Sequence, residues 1–471
     1  MNVLLTGSTG YIGKRILPEL IEKGHHVICC VRDRQRFSVP ASLEASIDII
    51  EVDLLDEASL EQIPLNIDAA YYLVHSMSSS SDYQALEAKS ATNFKNALAK
   101  TQAKQVIYLS GMINEKDLSP HLASRKRVEE ILGEGDYHLT TLRAGIIIGS
   151  GSASFEIIRD LAEKLPVMIT PRWLNTRCQP IGMHDVKNML TACLGNKEVY
   201  DRHFDIGGPD VLSYKEMLLG FAKVRKLKRW IFVVPVMTPK LSSYWLYFVT
   251  STSYKLAVAL VNSMKVEVVA QNDELNHILG IEPMSYREAL ERAFRSIKQN
   301  NITSSWKDSY VSSDVNFNIS DYIEVPTFGC FIDKRKRFYQ DKSHTIDNIW
   351  KLGGENGYYY GNWLWKIRGV LDKFVGGVGL RRGRTNPDSI KAGDALDFWR
   401  VLYANKAEGR LLLFAEMKLP GEAWLEFTLE GDQVVQTATF RPLGVMGRLY
   451  WYSVLPFHGF IFNGMLKSIS R

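Results

Sequence analysis

Gly7, Gly10 and Gly13 stand three residues apart where an apolar run, Val3-Leu4-Leu5, gives way to Thr6-Gly7-Ser8-Thr9-Gly10-Tyr11-Ile12-Gly13. A buried strand that breaks into such a loop and then into a helix can take a pyrophosphate. Glycine permits the tight turn and the close backbone approach, and the first N–H groups of the helix meet the anion with the positive end of the helix dipole. Thr9, Tyr11 and Ile12 lie within the same loop and belong to the expected contact. A second chemical signal follows the next apolar run, at Val31-Arg32-Asp33. Arginine at the end of this strand suits a ribose 2′-phosphate, whereas a carboxylate suits the free diol. Arg32 therefore favours NADP(H), and Asp33 beside it keeps NAD(H) open.

These residues need a scaffold, and the pattern around them supplies one. From residue 1 to about 149, apolar runs over 3–6, 27–31, 47–52, 69–74, 106–110 and 140–142 read as strands. Stretches over 12–23, 83–100 and 124–132 read as the helices between them, with Gly24 just past the first. That alternation predicts a doubly wound parallel sheet covered on both faces. Residues 150–300 extend the same domain: a strand and sharp turn at 204–209, a capping box at Ser213 and Glu216, and an amphipathic helix over 286–297.

Polar residues at 300–305 mark a linker, placed at 301–324 between a first domain over 1–300 and a second over 325–471. Beyond it the pattern changes to period-two runs over 395–402, 411–418, 423–429 and 434–440, separated by turn residues. They predict an antiparallel meander. A long apolar stretch over 445–469 then predicts a helix that Pro456 would break or kink.

The 471 residues carry a formal charge of only +5, which points away from a nucleic-acid partner. The dense basic runs at 334–337 and 381–384 read as solvated loops, since no nucleic-acid module surrounds them. Five scattered cysteines without a C-x-x-C pair fit a reducing cytoplasm. No signal or transit peptide is expected, because the first residues lead into a core strand. The stretch 230–261 is apolar but interrupted by Pro235, Pro239, Lys240 and Lys255, so it reads as a substrate wall, a partner face or a shallow membrane contact rather than a span.

The T-G-x-x-G-x-x-G spacing, with the positions that follow it, resembles the extended and atypical short-chain dehydrogenase/reductases, above all their NmrA-like NAD(P)-binding branch. The resemblance covers roughly residues 1–300 and implies a Rossmann-like fold. It implies that Asp53, in Val52-Asp53-Leu54, lies near the adenine, although an Asp there can equally cap a helix. It sets Leu73, Val74 and His75 against the nicotinamide ribose. It makes Ser110 the serine of the reductase site. The family's Y-x-x-S-K-x-x-x-E pattern stands here as His121-Leu122-Ala123-Ser124-Arg125-Lys126-Arg127-Val128-Glu129. His121 replaces the proton-donating tyrosine and can still shuttle a proton; Arg125 replaces the lysine and can hold ribose or phosphate but cannot act as a tunable base. Residues 142–149, where Ala144 replaces the usual proline, and 179–186 resemble further family landmarks, and for His184 and Asp185 in the second the resemblance implies a structural more often than a catalytic role.

Residues 325–471 resemble the uncharacterised domain often fused behind such reductases, itself similar to START and polyketide-cyclase-like helix-grip folds. The match rests on 357–365, 376–380, 393–401 and 449–462. It implies an α+β domain whose antiparallel sheet grips a terminal helix, with an apolar pocket that Trp350, Trp363, Trp365, Trp399, Trp424 and Trp451 would line. Asp397 and Arg400, if turned inward, need partners.

Three readings follow: an NAD(P)(H)-dependent oxidoreductase acting on a carbonyl or enone of an apolar small molecule, a non-catalytic NAD(P)-binding redox sensor, or a membrane-peripheral protein that handles quinones or lipids.

Overall fold

The computed structural model describes residues 1–32, 34, 37, 45–74, 83–113, 120–234, 258, 261, 264, 266–298, 325, 330–354, 356–380 and 389–471. The chain divides into two compact units, Met1–Trp306 and Lys307–Arg471. The expected linker at 301–324 and most of the apolar stretch 230–261 lie outside the described residues, as do His75, Asp33 and the basic run at 381–384.

Strands β1 (Asn2–Leu5), β2 (His26–Val31), β3 (Ile47–Glu51), β4 (Ala69–Tyr72), β5 (Gln105–Gly111) and β6 (His138–Ala144) build most of the sheet in the first unit. Four short strands follow, β7 (Ile147–Ile148), β8 (Val167–Pro171), β9 (Arg177–Cys178) and β10 (Ile181–Gly182), and then β11 (Arg202–Ile206) completes the sheet. The order is β11-β6-β5-β4-β1-β2-β3, and every pairing is parallel. Strand order reverses between β1 and β4, which opens a crevice at their carboxyl ends.

The helices are α1 (Gly13–Glu22), α2 (Tyr83–Leu98), α3 (Pro120–Leu132), α4 (Ala153–Lys164), α5 (Met183–Ala192), α6 (Tyr214–Val224), α7 (Glu274–Leu279) and α8 (Tyr286–Lys298). Val27, Cys29 and Val31 of β2 pack towards α1 and α5, while Ile28 and Cys30 pack towards the side of α2 and α3. Burial on both faces is why β2 reads as an unbroken apolar run. The capping box forms as expected: Ser213 Oγ accepts from Glu216 N at 3.2 Å, and the Glu216 carboxylate accepts from Ser213 N at 2.7 Å. Phe155, Phe221 and Phe294 meet ring to ring at 5.3–5.9 Å and join α4, α6 and α8 into a satellite core. Two further short strands lie here, β12 (Leu212–Ser213) beside β9 and β13 (Trp230–Val234) beside β8.

The second unit has a six-stranded antiparallel sheet in the order β14-β19-β18-β17-β16-β15. Its strands are β14 (Phe331–Phe338), β15 (Ala395–Leu396), β16 (Trp399–Asn405), β17 (Arg410–Ala415), β18 (Gly421–Glu430) and β19 (Gln433–Pro442). Helices α9 (Lys342–Trp350) and α10 (Asn362–Phe374) precede the meander, and α11 (Gly444–Ile469) ends the chain.

Three expectations need correction. The basic run Lys334–Arg337 is strand, not loop: Lys334 and Lys336 both bind Glu430, while Arg335 grips Asp333 at 2.9 Å. Pro456 does not break the terminal helix, which runs through it for 26 residues.

The tryptophans do not share one lining. Trp350, Trp365 and Trp399 join the core under α11, Trp451 stacks between Phe331 and Phe440, Trp424 packs on the other face of the sheet, and Trp363 is exposed. Arg400 is fully buried and paired with the equally buried Glu416 at 2.8 Å, its Nη1 also donating to the Gly393 carbonyl at 2.7 Å. Asp397 sits at the hairpin between β15 and β16 with φ +55°. Among the described residues no helix is long and apolar enough to cross a membrane.

Candidate functional site

The glycine loop lies in the crevice where the strand order reverses. Thr6 fastens its start: Thr6 Oγ1 donates to the Tyr71 carbonyl at 2.8 Å and accepts from Leu73 N at 3.3 Å, joining the ends of β1 and β4. Ser8 Oγ fastens its middle to the Cys30 carbonyl of β2 at 2.8 Å. Gly7 is left-handed, φ +70°, and a Cβ there would stand 2.7 Å from the Leu73 carbonyl oxygen. A Cβ on Gly13 would collide with the Gly7 carbonyl oxygen, and one on Gly10 would lie 3.0 Å from it. The glycines are thus needed for the loop's own closure.

What the closed loop offers is a set of donors. The backbone N–H groups of Tyr11, Ile12 and Gly13 meet no acceptor among the described residues, as the first turn of a helix must leave them. Thr9 is half-buried beside them. Arg15 stacks on the Tyr11 ring, 3.8 Å from its centroid, and donates to the Ser150 carbonyl at 2.9 Å, which ties α1 to the loop after β7. Free N–H groups, glycines with no room for a side chain and a helix opening beneath them fit a dinucleotide pyrophosphate.

Around this centre, Arg32 is exposed just past β2, and Leu73 and Val74 follow β4 half-buried. Asp53 lies two residues past β3. Its Oδ1 accepts from Leu55 N at 3.0 Å, and Ser59 bonds the Asp53 backbone, so part of this residue serves the turn.

Ser110 ends β5 opposite Arg143 of β6, which in turn stands opposite Asp205 of β11. Ser110 Oγ is buried and forms no well-directed hydrogen bond among the described residues. Tyr108, two residues earlier and so on the same face of β5, is a site neighbour that sequence reasoning missed; the period of two was the signal that could have found it. Burial raises the Tyr108 phenol pKa, while Arg125 and the Ser110 hydroxyl pull the other way. Arg125 turns its Nη1 to the Leu109 carbonyl at 3.1 Å, and its buried Nε has no partner among the described residues. Glu129, one turn on, forms a two-point ion pair with Arg143. Ser124 instead donates to the buried Glu87 of α2. The backbone of His121 lies in the first turn of α3. Ser110, Tyr108 and Arg125 therefore come together, whereas Ser124 and Glu129 anchor α3.

The His184–Asp185 landmark is structural. Asp185 Oδ2 accepts from Met284 N at 3.2 Å, and burial pushes its carboxyl up to about 6. His184 shares a 3.3 Å contact with Asn188. The buried thiols of Cys29, Cys178 and Cys193 are pushed up to about 12 by burial, which leaves them poor nucleophiles.

A parallel sheet with a glycine loop at its reversal point defines a nucleotide-binding α/β class. In keeping with this, residues 3–116 match the NAD dependent epimerase/dehydratase family, and residues 330–465 match the family described as "Protein of unknown function (DUF2867)". The chain is similar to the divinyl chlorophyllide a 8-vinyl-reductase of Arabidopsis thaliana, 25% identical over 227 residues, which is 44% of this chain and 54% of the relative. The enzyme of the same name from Cucumis sativus is 25% identical over 224 residues, 44% and 53% of the two chains. The match thus spans about half the length of these relatives. Among solved structures, a nucleoside-diphosphate-sugar epimerase from Staphylococcus aureus superposes with TM-score 0.51 at 15% identity, over 62% of this chain and all of that one. The triphenylmethane reductase of Citrobacter sp. does so with TM-score 0.50 at 14% identity, over 63% and all. These structural likenesses show the fold of the first unit.

Proposed function

We propose that the first unit binds NADP(H), with NAD(H) the second choice, and reduces a carbonyl or enone of an apolar small molecule. The observation that carries this reading is the glycine loop, closed on itself at the reversal point with three backbone N–H groups free. When bound, the nicotinamide cofactor supplies the hydride. The loop from Gly7 to Gly13 would hold the pyrophosphate, Arg32 the 2′-phosphate, Asp53 the adenine edge, and Leu73, Val74 and His75 the nicotinamide ribose. Ser110 would orient the substrate oxygen through its hydroxyl, and His121 would deliver the proton. Arg125 would steady the ribose from beside β5. The two chlorophyllide vinyl-reductases, whose names describe reduction of a vinyl group on a large pigment, support an apolar unsaturated substrate.

A second reading is favoured by one observation. Arg125 spends Nη1 on the Leu109 carbonyl and stands where the family has its lysine, so a sensor that binds nucleotide without turnover follows equally from the loop.

The test is a fluorescence titration of the full chain with NADPH and NADH, on the wild type and Arg32→Ala. Tighter NADPH binding that Arg32→Ala levels with NADH supports the cofactor reading. Binding of neither nucleotide overturns it. A screen of apolar enones and ketones, followed by loss of NADPH absorbance, then separates reductase from sensor; Ser110→Ala should lower any turnover found by on the order of a hundredfold.

A further inference from the structure

Helix α10 carries an apolar face outward. Trp363, Ile367, Val370, Leu371 and Phe374 recur at helical spacing and are 49–71% exposed. The opposite side, with Leu364 and Trp365, packs on the core of the second unit. The first turns of α11 repeat the arrangement: Met446, Leu449, Tyr452 and Phe457 are more than half exposed, while Trp451, Ile461 and Phe462 are buried. Two contacts link these helices. Arg368 of α10 lies over the Tyr450 ring, 5.9 Å from its centroid, and Tyr360, just before α10, meets the Phe460 ring at 5.0 Å. A folded domain rarely leaves so many large apolar side chains to water on two helices.

The exposed charge carried by the two helices themselves has one sign. Helix α11 contains no acidic residue in its 26 positions. The single acid of α10, Asp372, is fully buried and holds loop backbone, accepting from Lys418 N at 2.7 Å and Gly379 N at 2.8 Å. The exposed charges within the face are Lys366 and Arg448, with Arg368 and Lys373 half-buried at its flanks.

We propose that this face docks on an anionic lipid surface, with α10 and α11 lying in the headgroup plane. Apolar side chains, aromatic rings with polar tips and an excess of cations over anions on the helices are what such an interface selects. No described helix can cross a bilayer, so the contact lies on the membrane rather than through it. A second copy of the chain is the poorer occupant. A twofold contact through the same face brings cations of one copy against those of the other in a desolvated interface. The proposal does not depend on the cofactor reading.

The experiment is co-sedimentation of the full chain with vesicles of phosphatidylcholine alone and of phosphatidylcholine mixed with phosphatidylglycerol, at low and high salt. Binding to the phosphatidylglycerol vesicles, weakened by salt, is expected. Ile367→Asp with Leu371→Asp should abolish it, and Lys366→Glu with Arg448→Glu should weaken it about tenfold or more. All four positions are exposed, so unchanged thermal melting is expected in both double variants. The proposal is overturned by absent vesicle binding, by binding indifferent to both double variants, or by binding lost through Trp245→Asp in the first unit instead. It is equally overturned if sedimentation equilibrium shows a lipid-free dimer that Ile367→Asp dissociates.

Discussion

Glu129 and Arg143 close a two-point ion pair, Oε1 to Nη2 at 2.7 Å and Oε2 to Nε at 3.1 Å, that fastens α3 to β6 on the sheet row carrying Ser110. Both side chains are largely buried. Removing one partner strands the other charge in a poorly solvated place, so Glu129→Ala should cost about 2–3 kcal/mol in urea unfolding. Glu129→Gln keeps an acceptor for the guanidinium and should cost less. Equal losses in the two variants would assign the whole effect to the charge, and negligible losses in both would show that the pair contributes nothing.

The glycine loop predicts a ranking. A methyl at Gly13 must displace the Gly7 carbonyl, while one at Gly10 stands 3.0 Å from the same oxygen and needs a far smaller adjustment. Gly13→Ala should therefore weaken NADPH binding by at least about tenfold more than Gly10→Ala, since the loop must reopen to admit it. Titration of the two variants side by side reads this directly.

Arg400 and Glu416 make a buried pair whose single and double replacements should diverge. Arg400→Met leaves the Glu416 carboxylate uncompensated and should cost about 3–5 kcal/mol; Arg400→Met with Glu416→Leu should recover most of that. Chemical denaturation of the three variants gives the coupling.

The sequence was readable where one residue type serves one purpose. Gly7, Gly10 and Gly13 announced the loop because no other residue closes it, and Ser213 with Glu216 announced α6 because the box is local. It was unreadable where burial depends on distant partners. Four consecutive cations hid the alternation of β14, whose inward Asp333 and Arg335 satisfy each other. Helix α10 escaped notice because its outward face is apolar, contrary to the usual pattern. Trp424 and Trp399 were assigned to one pocket, yet they lie on opposite faces of the sheet, which only the register decides. Tyr108 went unremarked because its neighbours Ser110 and Arg125 come from a strand end and a separate helix.

His458 of α11 is held at about 4, because burial disfavours its charged form more than the Asp333 carboxylate favours it, with Arg335 adding to the lowering. Its unfolded pKa is about 6.5, so the unfolded chain binds the proton first. Stability from the neutral ring is complete above about pH 6.5 and is lost as pH falls towards 4, to a limit of about 3 kcal/mol. His458→Leu should flatten the acid limb of the urea midpoint plotted against pH; an unaltered limb would assign the acid sensitivity to other groups.

Strand β14 forms the rim of its sheet, paired with β19 on one side. Among the described residues β14 has no partner on its other side, and a strand rim of eight residues is a template on which another extended chain can add by hydrogen bonding alone. Here the outward Lys334 and Lys336 share one carboxylate, Glu430, and Arg337 is exposed beyond them, so two such rims meeting edge to edge would confront cation with cation. The basic run that disguises this strand thereby sets charge along an edge where two copies would otherwise be free to pair.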